Sequence, residues 1–230
     1  WIGGMGVLVF ILCLLPLTGG YHMNLMKAES PGPSVSKLVP KVQSTAKILY
    51  TIYIILTIVE IIFLLIGKMP LFDTLCLSFG TAGTGGFGIK NDSIASYSTY
   101  NQVVITVFMI LFGINFNAYY LLLTKKVMQA AKNEEVRYYL GIIGLAIVAI
   151  AINTREMFTS FGRAFQQAAF QVGSIITTTG YATTDFNVWP VFSKTILVIL
   201  MFVGACAGST GGGIKVSRLL ILCKSARKEL

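Results

Sequence analysis

Thr84-Gly85-Gly86-Phe87 and Thr178-Thr179-Gly180-Tyr181 are one short phrase written twice, 94 residues apart. Each copy lies in a stretch of intermediate polarity, roughly 70–99 and 155–193, that opens with a mildly apolar helical segment and then turns rich in Gly and Thr. Each then runs through polar residues into an apolar span, Phe108 to Gly113 in one case and Phe202 to Gly204 in the other. Repetition on this scale makes the unit, rather than the motif, the thing to interpret. Neither stretch is long or apolar enough to cross a bilayer and return as two full spans. The reading is a re-entrant loop: a helix descends part-way and extended backbone climbs back out. Such backbone is tolerated at membrane depth only where protein buries it or water lines it, which implies a pore or cavity.

The rest of the chain agrees with a bilayer as solvent. Of 230 residues, 55% are hydrophobic and 12% charged, with a mean hydropathy of +0.76, too apolar for an ordinary soluble domain. A helix needs about 20 residues to cross the hydrocarbon. Candidate spans are 48–66, interrupted only by Glu60, then 102–123, then a shorter 138–154 beginning at Tyr138, and 195–214. The run from Trp1 to Leu17 reads as the latter part of a further helix, and Trp1-Ile2-Gly3-Gly4-Met5-Gly6 resembles the same helix region in an earlier copy of the unit. A Trp at position 1 inside an apolar stretch, with no start Met, suggests a segment of a longer protein, and no signal peptide can be read. Cys13, Cys76, Cys206 and Cys223 fall singly, with no CxxC spacing, so neither a disulfide framework nor a zinc site is expected. His22, the only histidine, has no ligand partner at helical spacing.

The net charge of +9 is distributed in a way that excludes a nucleic-acid partner. If the loops do not cross, one side of the membrane holds Lys27, Lys37, Lys41, Lys47, Lys125, Lys126, Lys132, Arg137, Lys215, Arg218, Lys224, Arg227 and Lys228. The other keeps Lys68, Lys90, Arg155, Arg163 and Lys194. By the positive-inside rule the first side is cytoplasmic and the loops open outward.

A unit that crosses twice begins and ends on the same side, so successive units share an orientation and can surround an axis along the membrane normal. Four such loops would meet at one pore. Thr-x-Gly-aromatic suits that position: Gly lets successive carbonyls face the axis and replace the water shell of a potassium ion. The expected K+ positions are Thr84, Gly86, Thr178 and Gly180, within the filter segments Thr84, Gly85, Gly86, Phe87 and Thr178, Thr179, Gly180, Tyr181. The threonine hydroxyls add acceptors at the inner end, and Phe87 or Tyr181 can wedge a loop from behind. The preceding helices aim their partially negative C-termini at the cavity, which favours a cation. A literal GxGxxG at Gly83, Gly85 and Gly88 would need a βαβ unit around it to bind a dinucleotide, and only membrane helices flank it.

Gly204-Ala205-Cys206-Ala207-Gly208-Ser209-Thr210-Gly211-Gly212-Gly213-Ile214-Lys215 nearly spells a phosphate-binding loop, but Ile214 stands where Lys is required and no strand precedes it. Five glycines, each costing about 1 kcal/mol in a helix, argue against a continuous span. One reading is a broken helix whose unwound centre, Gly208, Ser209, Thr210, Gly211, Gly212 and Gly213 with Lys215 after it, plugs the pore below the filter. The other is close helix packing through small residues. Glu60, the one carboxylate well inside a span, is either a coupling-ion or proton site or a paired interior group. Asp92 and Asp185 can concentrate cations at the mouth or be ordinary solvated loop acids. No nucleophile–base pair or metal cluster points to an enzyme.

These residues resemble the TrkH/KtrB superfamily of potassium transporters. The likeness covers essentially the whole chain: Trp1 to Gly6, Glu29 to Pro33, Met69-Pro70-Leu71-Phe72-Asp73, both Thr/Gly segments, and above all Ala207 to Lys215, similar to the family's intramembrane gating loop. The pattern at Thr84 to Phe87 is closer to TrkH than to KtrB. The resemblance implies an all-α membrane protein built from M1-P-M2 repeats, with potassium uptake as its activity and a broken helix in the last span. It implies a homodimer, a cytoplasmic nucleotide-binding regulatory subunit of the TrkA/KtrA kind, a bacterial-type cytoplasmic membrane with multiple spans, and no cofactor besides transported K+, with Na+ or H+ as possible coupling ions. On this register 1–19 ends repeat one, 20–45 is a cytoplasmic linker, 46–124 is repeat two, 125–136 a second linker, 137–224 repeat three with its gate loop at 204–213, and 225–230 a tail. Filter one and repeat four fall outside the chain. The alternative function is a non-conducting structural or assembly subunit of a membrane complex.

Overall fold

The structure, a computed structural model, describes residues 1–6 and 42–229. Cys13, His22 and the expected 20–41 part of the linker lie outside the described residues. One pattern is built twice. A long helix α1 (Val42–Ile66) leads to a shorter α2 (Leu71–Ala82), a Thr/Gly loop, and α3 (Thr99–Phe112) followed by α4 (Phe116–Leu123). After the short α5 (Val127–Ala131), a long α6 (Glu134–Asn153) leads to α7 (Phe161–Ile176), a second Thr/Gly loop and α8 (Val191–Phe202); α9 (Val216–Glu229) ends the described chain. No strand forms among the described residues.

Local chemistry sets the boundaries. Ser98 and Ser160 accept hydrogen bonds from Asn101 N and Arg163 N at the starts of α3 and α7, and Asn133 accepts from Glu135 N at the start of α6; such side chains satisfy N–H groups a helix leaves open. The Asn133 cap starts α6 at Glu134, four residues before the Tyr138 expected from hydropathy. Thr45–Ile66 and Glu134–Asn153 are long and apolar enough to cross a bilayer.

The uninterrupted span expected over 102–123 is corrected by the structure: the chain bends by 91° between α3 and α4. The bend falls at Gly113-Ile114-Asn115, where the Asn115 side chain accepts from Asn117 N at 2.9 Å and starts a new helix. Nor is the opening segment helical where it is described. Gly4 N bonds Trp1 O and Gly6 N bonds Gly3 O as turns, while the Trp1 ring stacks on Tyr53 at 5.0 Å.

The two short helices start at one end of the molecule. Asn101, at the start of α3, donates to Gly67 O just before α2, and Arg163 in the first turn of α7 donates to Thr99 Oγ1. The loops return to that same end. Ile94 N donates to Ala182 O across the two copies, and Gln102 Nε2 reaches Ile94, Ala95 and Tyr97 carbonyls. At the opposite end Lys224 of α9 pairs with Glu134 of α6. Two apolar cores result, one around Tyr53, Leu77, Ile105 and Phe112, the other around Tyr139, Ile150, Val172 and Leu197. Tyr181 and Phe170 from the second unit are buried in the first core, which locks the copies together.

Candidate functional site

The two loops carry the same backbone conformation at the same positions. Thr84 (φ 50°) and Thr178 (φ 59°) are left-handed, as are Gly86 (φ 68°) and Gly180 (φ 89°), whereas Gly85 and Thr179 between them are not. A β-branched residue at positive φ is a steric outlier, and strain of this kind, about 1–3 kcal/mol per residue, persists where surrounding structure imposes it. Both threonines sit two residues beyond a helix end, Ala82 of α2 and Ile176 of α7.

The loops meet. A Cβ at Gly86 would collide with the Thr179 carbonyl oxygen, and the same atom would come within 3.3 Å of the Gly180 carbonyl carbon. A Cβ at Gly180 would meet nothing within 4 Å, so that glycine borders open space. Tyr181 is buried to 1% exposure behind α2, its hydroxyl donating to Leu77 O at 3.2 Å, and Gly80 leaves the room its hydroxyl occupies. Phe87, expected to wedge in the same way, is instead 82% exposed.

Beneath the threonines lies the glycine-rich segment. Helix α8 stops at Phe202, and the chain leaves and re-enters a single pinch: Gly204 N bonds Ile214 O at 2.8 Å and Ile214 N bonds Phe202 O at 3.3 Å. A Cβ at Gly204 would strike Gly212 O and come within 2.9 Å of Gly213 Cα, so the closure requires glycine. The loop touches both copies. Gly212 N donates to Thr178 Oγ1 at 2.8 Å, and the Thr84 hydroxyl shares its one proton between Gly83 O at 2.8 Å and Thr210 O at 3.1 Å. Inside the loop Ser209 Oγ bonds Cys206 O at 2.7 Å, and Lys215 Nζ donates to Gly211 O.

The bend between α3 and α4 and this loop satisfy one another. Backbone groups released at the bend find their partners there: Cys206 N donates to Gly113 O at 3.1 Å, Phe116 N to Gly208 O at 3.0 Å, and Thr210 Oγ1 to Phe112 O at 3.2 Å. In a low-dielectric setting unpaired backbone groups are costly, so each break stabilises the other. Glu135, buried to 8% exposure, closes the cluster: Oε1 accepts from Ala207 N at 2.6 Å and Ser217 N at 3.1 Å, and Oε2 from Asn115 Nδ2 at 3.3 Å. The sequence reading singles out neither Glu135 nor Asn115. The available signals were a Gly-x-Asn inside an apolar run and a tandem acid at a helix start.

Glu60 is fully buried and neither carboxylate oxygen has a hydrogen-bond partner among the described residues; the Thr81 hydroxyl on α2 is committed to Leu77 O at 2.8 Å. Asp92 and Asp185 are exposed and serve their own turns, accepting from Ser96 Oγ and Asn187 N. No group of three or more metal-ligating side chains forms among the described residues.

The fold has a counterpart in known proteins. Residues 1–230 match a family described as TrkH, Cation transport protein. The chain belongs to the TrkH family. Among curated TrkH relatives, the Trk system potassium uptake protein TrkH of Salmonella typhimurium is 34% identical over 235 residues, covering 100% of this chain and 49% of that protein. That of Vibrio parahaemolyticus is 37% identical over 238 residues, with 100% and 49% covered. The crystal structure of the potassium transporter TrkH from Vibrio parahaemolyticus superimposes with a TM-score of 0.82 at 32% identity, covering 99% of this chain and 47% of that one. The chain thus spans about half the length of the TrkH relatives it matches. The family to which the chain belongs is described as one of cation transport proteins, not enzymes, and the described residues share the all-α fold of the TrkH crystal structure.

Proposed function

We propose that the full-length protein carrying this chain takes up potassium across a bacterial cytoplasmic membrane, through a filter of four loops gated by residues 204–213. Thr84 to Phe87 and Thr178 to Tyr181 are two of those loops, and K+ binds at Thr84, Gly86, Thr178 and Gly180. The observation that carries this reading is the matched left-handed pair in each loop, Thr84 with Gly86 and Thr178 with Gly180. Where the sign of φ alternates along a segment, successive peptide planes face the same way, so one side of it becomes a row of carbonyls able to replace a hydration shell. Helices α2 and α7 end just before the rows, and their partially negative C-termini add to the attraction for a cation.

The fourfold ring is supported by Phe87. Tyr181 packs behind the helix of the preceding repeat; the residue that matches it by register, Phe87, has no such helix behind it among the described residues and stands exposed. A repeat preceding 46–124 would supply one. The M1-P-M2 reading assigns α1, α2 and α3 with α4 to repeat two, and α6, α7 and α8 to repeat three. Relatives bearing the name potassium uptake support the choice of ion. The whole protein spans the membrane several times, acts as a homodimer with a cytoplasmic nucleotide-binding regulatory subunit, and draws on K+ alone or on K+ coupled to Na+ or H+.

The test is rubidium or potassium flux into liposomes holding the full-length protein. Flux that prefers both ions over sodium is expected. Correctly folded protein without flux would instead identify a non-conducting assembly subunit.

A further inference from the structure

We propose that Glu135 is the positioning residue that latches the glycine-rich loop closed and ties it to α9. The inference rests on the reading of residues 204–213 as a gate. One carboxylate oxygen receives two backbone N–H groups, from Ala207 at 2.6 Å and Ser217 at 3.1 Å. These two donors bracket the loop: Ala207 lies on its entering limb and Ser217 just beyond its exit, in the first turn of α9. The other oxygen holds Asn115 at 3.3 Å, on the bend whose backbone is bonded to the loop. Three segments distant in sequence therefore converge on a single side chain borne by the first turn of α6.

The chemistry favours a clamp. Ser217 N–H is one of the amides that the start of α9 leaves open, where negative charge is welcome, so Glu135 caps a helix from outside it. Hydrogen bonds from N–H groups to a carboxylate are shorter and stronger than those between neutral groups. The nearby Lys215 ammonium does not neutralise it by contact, being bonded to Gly211 O inside the loop. The neighbouring Glu134 faces outward and pairs with Lys224 farther along α9. Adjacent acids thus grip α9 at two points, one of them shared with the loop. A displacement of α9 that opens the Ser217 contact also withdraws the acceptor of Ala207, which gives movement at that end of the molecule a route to the loop.

The experiment measures rubidium flux into liposomes holding the full-length protein, for the parent, Glu135→Ala, Glu135→Gln, a deletion of 208–213, and Glu135→Ala within that deletion. Glu135→Ala is expected to raise basal flux on the order of tenfold, the population shift expected from losing the one charge-assisted hydrogen bond, from Ala207 N, that holds the loop itself. Glu135→Gln keeps an oxygen for both N–H groups and should return flux most of the way to the parent's. In the loop-deleted protein Glu135→Ala should add nothing, and the rubidium-to-sodium ratio should be the same in all. Parental flux in Glu135→Ala overturns the proposal, as does an equal rise in the loop-deleted background. Should Glu135→Ala not fold, Asn115→Asp keeps the oxygen that caps α4 at Asn117 N and removes only the donor to Oε2; it should raise flux by a smaller factor, and parental flux there is equally fatal. If deleting the loop leaves flux unchanged, the gate reading itself fails; if deletion raises flux and Glu135→Ala does not, only the latch fails.

Discussion

The backbone N–H of Gly212 donates to the Thr178 hydroxyl at 2.8 Å, so the glycine-rich loop is bonded to the very residue that begins the second Thr/Gly segment. Its counterpart Thr84 binds the same loop with the opposite sense, donating to Thr210 O at 3.1 Å. Both hydroxyls have a second use in the proposed filter, as acceptors for an entering cation. Seating of the loop and of the innermost ion therefore draws on the same two groups.

Gly212→Ala tests that competition without altering either threonine. The added Cβ would stand 2.9 Å from Thr178 Oγ1 and 3.6 Å from its Cβ and Cγ2, too close for the loop to seat. The expected result is raised basal rubidium flux at unchanged selectivity. Flux equal to the parent's would mean that the contact does not hold the loop in place.

Gly180 and Gly86 share a left-handed backbone but not their surroundings, and their variants should differ accordingly. A side chain costs about 1–2 kcal/mol of strain at either position. At Gly180 it would project into open space, so Gly180→Ser should leave a folded protein whose preference for potassium over sodium is eroded. At Gly86 the new Cβ would run into the Thr179 carbonyl, so Gly86→Ala should abolish flux altogether. Reversal potentials measured in bi-ionic gradients separate the two outcomes.

The sequence makes the repeat visible because glycine and threonine recur at fixed distance, and it reveals the break after Phe202 because five glycines cannot sustain a helix. It conceals the bend at Gly113-Ile114-Asn115, since the run from Gln102 to Leu123 is uniformly free of charge and hydropathy does not register direction. What makes that bend tolerable is a set of partners about a hundred residues away, at Cys206, Gly208 and Thr210, a tertiary fact with no local signature. Glu135 escapes notice for a related reason. An acid in the first turn of a helix is favoured by the helix itself, so nothing in its setting announces a second role.

Because bend and loop depend on each other, crowding the bend should loosen both. A Cβ at Gly113 would overlap the Tyr139 hydroxyl and come within 3.0 Å of Thr177 Cγ2. Gly113→Ala is expected to destabilise by about 1–3 kcal/mol, the usual cost of overpacking. Tyr139→Phe removes the closer colliding atom, leaving the ring carbon Cζ at 2.9 Å, at the loss of one hydrogen bond to Ile110 O, 3.2 Å long. The double variant should therefore have a higher thermal midpoint in detergent than Gly113→Ala alone. A midpoint no higher would place the strain elsewhere.

Tyr181 and Phe87 set the sharpest test of the ring. Judged by exposure within this chain, Tyr181→Ala empties a buried site while Phe87→Ala, at 82% exposure, removes little. Deleting a buried aromatic side chain costs about 3–5 kcal/mol. If each loop aromatic packs behind the helix of the repeat before it, Phe87 is equally buried in the full-length protein and its loss is equally damaging. Phe87→Ala and Tyr181→Ala should then lower the thermal midpoint and the potassium preference by similar amounts. A harmless Phe87→Ala would mean that no neighbouring repeat covers that face, and the fourfold filter would have to be abandoned.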